Sequence, residues 1–462
     1  MRKIQKALQH EGEYDYNAPT AIPAPALVSD WSSIDRILRD SQSIIAPWEI
    51  RLQSLGGSQG TSANTQTGLA CEQSLVRAIT WGPIGSLKDF PSYIERKTIE
   101  AIRMNSRRIG SCYEIDVING VATAVWTEAA AQLLGIPLKT STTSSAFFDN
   151  ESLQKNLEVL FRYIFSFSKL GAMQELIIRR DAVQANDQLR SVIKEACLAV
   201  KCSPSLPKTT SSPSQEDEKD HSDEKDRLDE EDHSDAAANE HGEKVLRQLF
   251  ESGKTVEEVV SLVSLLAVQT VTPSIFAIGR IMDLLMSERY EPHWTKIQKL
   301  SRDPSPWNSR NLPLYVLEAL RLVPPAAPCV RTSQTHPNIK DWRNAQDVKK
   351  GETFLLDFAI AGRDGERFPH PGAMKLDRPL EVYQYLPFVE GLHGPLVKDI
   401  AVAGSAEQLR VFGKLEGLRR VPGASGMLKK LREHGVVSYL NDAQDAWVPL
   451  PPSLRLRFDA LP

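Results

Sequence analysis

At 462 residues, 41% hydrophobic and 25% charged, the chain is long enough to bury one large core or two ordinary ones. Its formal net charge of −4 hides an uneven spread: residues 214 to 240 carry thirteen Asp and Glu against three Lys and Arg, a local −10 that leaves the rest at +6. That surplus is modest and no basic stripe carries interleaved aromatics, which speaks against a nucleic-acid surface, and no run of eighteen or more apolar residues free of charge supports a membrane span.

In chain order, the start MRKIQKALQHEGEYD lacks the continuous apolar core of a signal peptide, so an intracellular, cytoplasmic protein is expected. The five cysteines, Cys71, Cys112, Cys197, Cys202 and Cys329, have no metal-ligand spacing and are too few for a disulfide scaffold, so reduced thiols are expected. Residues 11 to 30, with Pro19, Pro23 and Pro25, predict an extended arm, and Trp31 to Arg39 a short helix behind the cap candidate Asp30. The Gly, Ser, Thr and Gln between Ser54 and Gly68 predict a loop. Helical periodicity runs from Pro91 to Met104, from Ile115 to Leu134 with Gly135 and Pro137 as the stop, and from Glu151 to Val200, where FRYIFSF gives an aromatic face for burial against other helices.

Residues 203 to 241 break the pattern. A Pro/Ser/Thr stretch leads into EDEKDHSDEKDRLDEEDHSD, too polar to pay its own ordering entropy, which predicts a disordered acidic insertion. His221, His233 and His241 beside those acids have the chemistry to hold a divalent ion loosely, but the run reads first as a solvated charge stretch, and no metal site is expected.

The longest apolar stretch follows. Thr255 to Met286 is apolar on nearly every side between Val256 and Val271, the mark of a central buried helix, and Pro273 inside it predicts a kink. Gln269, Thr270 and Thr272 are the polar groups at that point; such side chains more often bond their own backbone than a ligand. Further on, Glu318 and Arg321 stand three apart, the spacing that puts two residues on one helix face. They belong to the pattern E-x-x-R-x-x-P-x-x-x-x-x-x-R with Pro324 and Arg331. GRDGERFPHPGAMKLDRP, residues 362 to 379, comes next, and then FVEGLHGPLVKDI, residues 388 to 400, in which Phe388, Gly391, His393 and Leu396 keep the spacing F-x-x-G-x-H-x-C-L with Pro395 in the cysteine's place.

These landmarks, in this order over about the final two-fifths of the chain, resemble the cytochrome P450 superfamily. The stretches YDYNAPTAIPAP, IDVINGVATAVWTEAAAQLLGIPLKT, LRRVPGASGMLKKL and PLPPSLRLRF are similar to the P450-type hydroperoxide isomerase domain of fungal psi-factor-producing oxygenases and linoleate diol synthases. The resemblance implies a mainly α fold with small β sheets in a single domain over 1–462. It implies that Glu318 and Arg321 brace the core, with Arg367 or Arg378 completing their ion network. It also implies that Phe388 and Gly391 shape the haem loop, that Arg331 and His393 contact haem propionates, and that residues 326 to 330, Cys329 among them, line the substrate pocket.

The same comparison shows what is missing. The family's axial cysteine is replaced by Pro395, which has no lone pair for a metal, so the thiolate that drives O–O cleavage is absent. Thr272 has no acidic partner, since no Asp or Glu lies between Glu258 and Asp283. Three readings follow. In the first, a pocket without cofactor runs a cyclisation, rearrangement or Diels-Alder type closure on a lipid-like, terpenoid or polyketide substrate by orientation and a few hydrogen-bond donors, with Gln269, Thr270, Thr272 and Cys329 as the candidate residues. Cys329 as a nucleophile weighs less than Cys329 as an inert buried thiol. The second is a haem-binding oxylipin hydroperoxide isomerase with another axial ligand, for which His393 is the candidate; the third is an inactive relative that binds a lipid or a partner.

Overall fold

In a computed structural model, residues 26–39, 44–55, 90–139, 145–165, 172–202, 241–303, 311–324, 329–334, 350–383, 394–433 and 436–461 are described. The predicted arm up to residue 25, most of the loop from Ser54 to Gly68 and the acidic insertion from 203 to 240 lie outside them.

A four-stranded sheet gathers the two ends of the sequence. β1 (Ala26–Val28) runs parallel to β6 (Thr353–Leu356), which pairs antiparallel with β5 (Cys329–Ser333), and β2 (Ile44–Ile45) closes the other edge. The short helix α1 (Trp31–Arg39) has the predicted bounds. Asp30 caps it, accepting from Ser33 N at 2.8 Å; burial alone would raise its carboxyl, but the hydrogen bonds from Ser33 and Ser32 outweigh it and hold the group below the usual range. Trp31 then fastens α1 to the far part of the chain: its N–H donates to Asp364 at 3.1 Å and its ring meets Phe368 edge-on at 5.2 Å. A second sheet, β3 (Arg107–Ile109), β4 (Cys112–Asp116), β11 (Arg455–Phe458) and β7 (Arg419–Arg420), is antiparallel throughout. The third has β8 (Lys430–Glu433), β9 (Val436–Leu440) and β10 (Trp447–Val448).

The helical core is built on one long helix. α8 (Val256–Leu285) starts with a capping box, the Thr255 hydroxyl taking the Glu258 N–H while the Glu258 carboxylate takes the Thr255 N–H at 2.8 Å. It continues through Pro273, and every residue from Leu266 to Gly279 is buried, as its all-round apolar sequence requires. By length and composition alone this helix would pass for a membrane span, but 89% of its most apolar stretch is buried inside the protein. Against it pack α4 (Thr123–Leu134), α5 (Asn150–Phe165), α6 (Ala172–Cys202), α9 (Glu291–Arg302), α10 (Asn311–Leu322) and α12 (Gly394–Lys414); α2 (Pro47–Ser54) packs on α5 and α3 (Phe90–Asn105) on α4 and α12, α7 (241–251) precedes the central helix, and the single-turn α11 (Phe358–Ala361) follows β6.

Two sequence expectations are corrected. The run Ile115–Leu134 is not one helix: Ile115 and Asp116 are the end of β4, paired to Leu456 and Arg455, and a wide π turn, Val117–Ala122, intervenes before α4. Asp116 sets that boundary by accepting the N–H groups of Ile118 at 2.9 Å and Asn119 at 3.1 Å, so the chain leaves the strand directly into a capped turn. The stretch Glu151–Val200 is two helices, α5 and α6, and Phe161 and Ile164 of its aromatic face are buried as expected. Gly135 does end α4, in the left-handed conformation at φ 67°, and a Cβ there would stand 2.9 Å from the carbonyl oxygen of Gly242.

Candidate functional site

The central helix carries four polar side chains around its proline: Gln269, Thr270, Thr272 and Ser274, exposed by 0%, 3%, 0% and 0%. Helical hydroxyls elsewhere in the protein satisfy themselves on the preceding turn, as Ser264 does on Val260 O at 2.7 Å, Thr98 on Ile94 O at 2.6 Å and Ser301 on Ile297 O at 2.8 Å. Thr272 Oγ1 and Ser274 Oγ do not; both are buried with no partner among the described residues. An unsatisfied buried hydroxyl costs about 1–3 kcal/mol, so each of these two, on opposite sides of the helix and beside a proline that has no N–H to give, marks a point where water or a ligand's oxygen completes the bonding. Thr127 on α4 and Ser405 on α12 are buried and unpartnered in the same way. Ser274 was missed in the sequence, although it is a polar residue in an otherwise apolar run.

No carboxylate serves these hydroxyls along the helix. Asp283, the next acid, is held at its far end, accepting from Arg420 Nη1 at 2.9 Å, Lys430 Nζ at 2.6 Å and Leu428 N at 3.1 Å.

Behind this face, α10 places Glu318 and Arg321 as a fully buried pair. Arg321 Nε and Nη2 donate to the two Glu318 oxygens at 2.8 Å each, and Nη1 reaches the carbonyls of Gly362 at 2.6 Å and Pro371 at 2.7 Å. Lys375 N at 2.8 Å and Tyr383 OH at 2.7 Å complete the carboxylate's partners. Burial by itself would raise the Glu318 carboxyl; hydrogen bonds from Arg321 and Lys375, the Arg321 charge and the Tyr383 hydroxyl outweigh it and hold the group below its ordinary value. The third cation is Arg378, whose Nε stands 3.1 Å from Glu318 Oε1. Arg367 is not in this network; its guanidinium lies 5.8 Å from the Trp31 ring centre, over α1. Tyr383 was not foreseen, and no spacing in the sequence links it to a residue sixty-five positions away.

Cys329 is 1% exposed, and Arg331 turns back on it, donating from Nη1 to Cys329 Sγ at 3.1 Å and to Val330 O at 3.0 Å. Phe388, Gly391 and His393 lie outside the described residues. α12 begins just beyond them, and its first four residues, Gly394, Pro395, Leu396 and Val397, carry no side-chain atom able to ligate a metal. The sequence holds no cysteine after Cys329, and among the described residues no three His, Cys, Asp or Glu side chains converge on a metal position. The residues present therefore do not fit a thiolate-held haem.

The fold compares over 94% of the chain with solved structures. One is the P450 haem domain of Tepidiphilus thermophilus, with a TM-score of 0.60 at 14% identity and 88% of that chain covered. Another is P450BioI in complex with acyl carrier protein ligated to hexadec-9Z-enoic acid, with a TM-score of 0.61 at 15% identity and 91% covered. The fold is that of a cytochrome P450. No family model matches the chain. In sequence, this P450-fold chain is 24% identical over 470 residues to psi-producing oxygenase A of Emericella nidulans and 25% identical over 469 residues to linoleate 10R-lipoxygenase of Aspergillus fumigatus. It is 24% identical over 478 residues to a bifunctional dioxygenase (DOX)-epoxy alcohol synthase (EAS) of Fusarium oxysporum. Each match takes in 99% of the chain but only 34 to 41% of the relative, so the P450-fold chain spans about two-fifths of the length of the curated proteins it resembles.

Proposed function

We propose that the chain binds an oxygenated fatty acid against the central helix and isomerises or cyclises it without oxygenation. The observation that carries this reading is a combination: similarity along 99% of the chain to proteins named for linoleate and epoxy-alcohol chemistry, in a sequence with no cysteine beyond Cys329. The first feature favours an oxylipin-type lipid over a terpenoid or polyketide substrate. The second withholds the ligand that thiolate-dependent chemistry needs.

An isomerisation keeps every atom of its substrate and needs neither oxidant nor reductant. An apolar channel contributes by fixing the lipid in a reactive conformer, where orientation alone is worth several kcal/mol. The Thr272 hydroxyl, buried and unpartnered, has a proton to direct at an epoxide, hydroxyl or carbonyl oxygen of the ligand and so polarises the C–O bond as charge develops there. Ser274, also unpartnered among the described residues, lies about 200° around the helix from Thr272 and so addresses a different neighbour.

The similarity to an epoxy alcohol synthase favours a second reading, a haem-dependent hydroperoxide isomerase ligated through another residue, with His393 as the candidate. An absorption spectrum of protein expressed with haem precursor separates the two. The first reading expects no stoichiometric Soret band, and conversion of linoleate-derived epoxides or hydroxides to isomers of equal mass. A stoichiometric Soret band that His393→Ala abolishes would overturn it in favour of the second. Binding of the lipid with no conversion in either form would leave a lipid carrier.

A further inference from the structure

Arg280 is the only cation on the central helix. Its side chain is half-buried and leaves the helix sideways: Nη1 donates to the carbonyl of Pro324, the residue that closes the E-x-x-R-x-x-P pattern, and the guanidinium carbon lies 5.1 Å from the ring centre of Tyr439 on β9. The guanidinium also hydrogen-bonds the Tyr439 side chain, while its Nε is buried with no partner among the described residues. No carboxylate among the described residues pairs with it. The acid one turn on, Asp283, is already shared by Arg420 and Lys430, which hold it at 2.9 and 2.6 Å. Two cations therefore share this one anion, and Arg280 is not among them. Carbonyls at the helix C-terminus partly compensate Arg420, which reaches Met286 O at 3.1 Å.

We infer that Arg280 receives the carboxylate of the fatty-acid ligand. The inference rests on the fatty-acid reading of the central-helix face and assigns the ligand's polar end. A guanidinium presents a planar fork that a carboxylate fills with two parallel bonds, and here one edge still has an unsatisfied donor away from bulk water, where a charge-assisted bond is strongest. The spacing suits a long chain. Thr272 and Arg280 are eight residues apart, about 12 Å along the axis and less than a quarter turn around it, roughly half the extended length of a C18 chain. A ligand whose carboxylate is held at Arg280 and whose tail follows the helix toward its N-terminus lays its middle carbons beside the Thr272 hydroxyl.

The test compares linoleate with its methyl ester, which differ only in the charged end, in equilibrium binding to the wild type, Arg280→Gln and Arg280→Lys at pH 8. The wild type is expected to bind the acid about tenfold more tightly than the ester, the worth of a charge-assisted pair. Arg280→Gln should bring the two affinities together by weakening the acid alone. Arg280→Lys, which keeps a cation on a shorter, unforked side chain, should lose part of the preference, and it reads the proposal if the Gln variant does not fold. An acid-to-ester ratio unchanged in both variants, or a wild type with no preference, would overturn the assignment while leaving the fatty-acid reading standing. Failure of the wild type to bind either compound would instead overturn the fatty-acid reading on which it rests.

Discussion

At the scale of single residues, the buried polar groups fall into two kinds, those fully partnered and those waiting for one. Glu318 is the first kind. Removing it in Glu318→Ala leaves the Arg321 charge buried without its anion, at a cost of about 3–5 kcal/mol, so a large fall in melting temperature is expected; an unshifted melt would refute its bracing role. Thr272 is the second kind. Thr272→Ala should leave stability almost unchanged, since it deletes an unsatisfied group, while lowering lipid turnover at least tenfold, and Gln269→Ala is expected to lower turnover in the same assay. Full turnover in both variants would remove this face of the helix from the chemistry. His293 adds a pH dependence. Burial, with help from Lys296, pushes its imidazole below the ordinary 6.5 against a smaller opposing pull from Glu318, and its ring packs 5.9 Å from Tyr315 and 6.1 Å from Tyr290. Because the folded protein prefers the neutral ring, the contribution is present above 6.5 and is lost as pH falls from 6.5 toward the lower folded value. The drop in melting temperature between pH 7.5 and 5.5 should therefore shrink in His293→Gln; an equal drop would place the acid lability elsewhere. Spacing made the Glu318 and Arg321 pair legible in the sequence, because three residues on a helix is a local relation. Spacing does not choose between Arg367 and Arg378, nor does it point to Tyr383 or Arg280, because their partners are distant in sequence and only the fold brings them near.

At the scale of elements, patterns that depend on neighbours along the chain were readable and those imposed from across the fold were not. The central helix, the cap of α1 and the glycine stop of α4 all follow from local propensity. Residues 115 and 116 are as helical in pattern as those after them, yet pairing to β11 takes them into a strand. Packing between helices shows the same dependence. Trp126 on α4 is fully buried and donates from Nε1 to Gln408 Oε1 on α12 at 2.8 Å, and Gly404, one turn earlier on α12, lies against the same indole. A methyl group at Gly404 would stand 2.8 Å from Trp126 Cζ2 and closer still to Cη2, and the ring is too enclosed to yield. Gly404→Ala is thus expected to destabilise by about 1–3 kcal/mol in spite of its better helix propensity, read by urea unfolding. A stabilised variant would show that the α4 and α12 seam relaxes.

At the scale of the whole molecule, the chain shares a P450 fold with solved structures at 14 to 15% identity, while its sequence holds no cysteine beyond Cys329. The landmarks that survive are those that hold the fold, the buried pair on α10 above all. The cysteine of the resembled loop, whose role would be chemical, has no counterpart in the sequence after Cys329. This is why the architecture was legible from a few motifs and the reaction was not: side-chain packing constrains many positions at once, whereas a reaction rests on a few atoms that one substitution removes.

The strand that opens the described fold also bears on how the protein is made. Val28 of β1 has its partner in Leu356 of β6, more than three hundred residues later, and Trp31 waits equally long for Asp364 and Phe368. At about 5–20 residues per second of translation, the first strand and helix emerge from the ribosome roughly a quarter of a minute to a minute before anything exists for them to dock on. Their apolar faces are then client surface for chaperones, and β1 and α1 are among the last of the described elements to be locked in place.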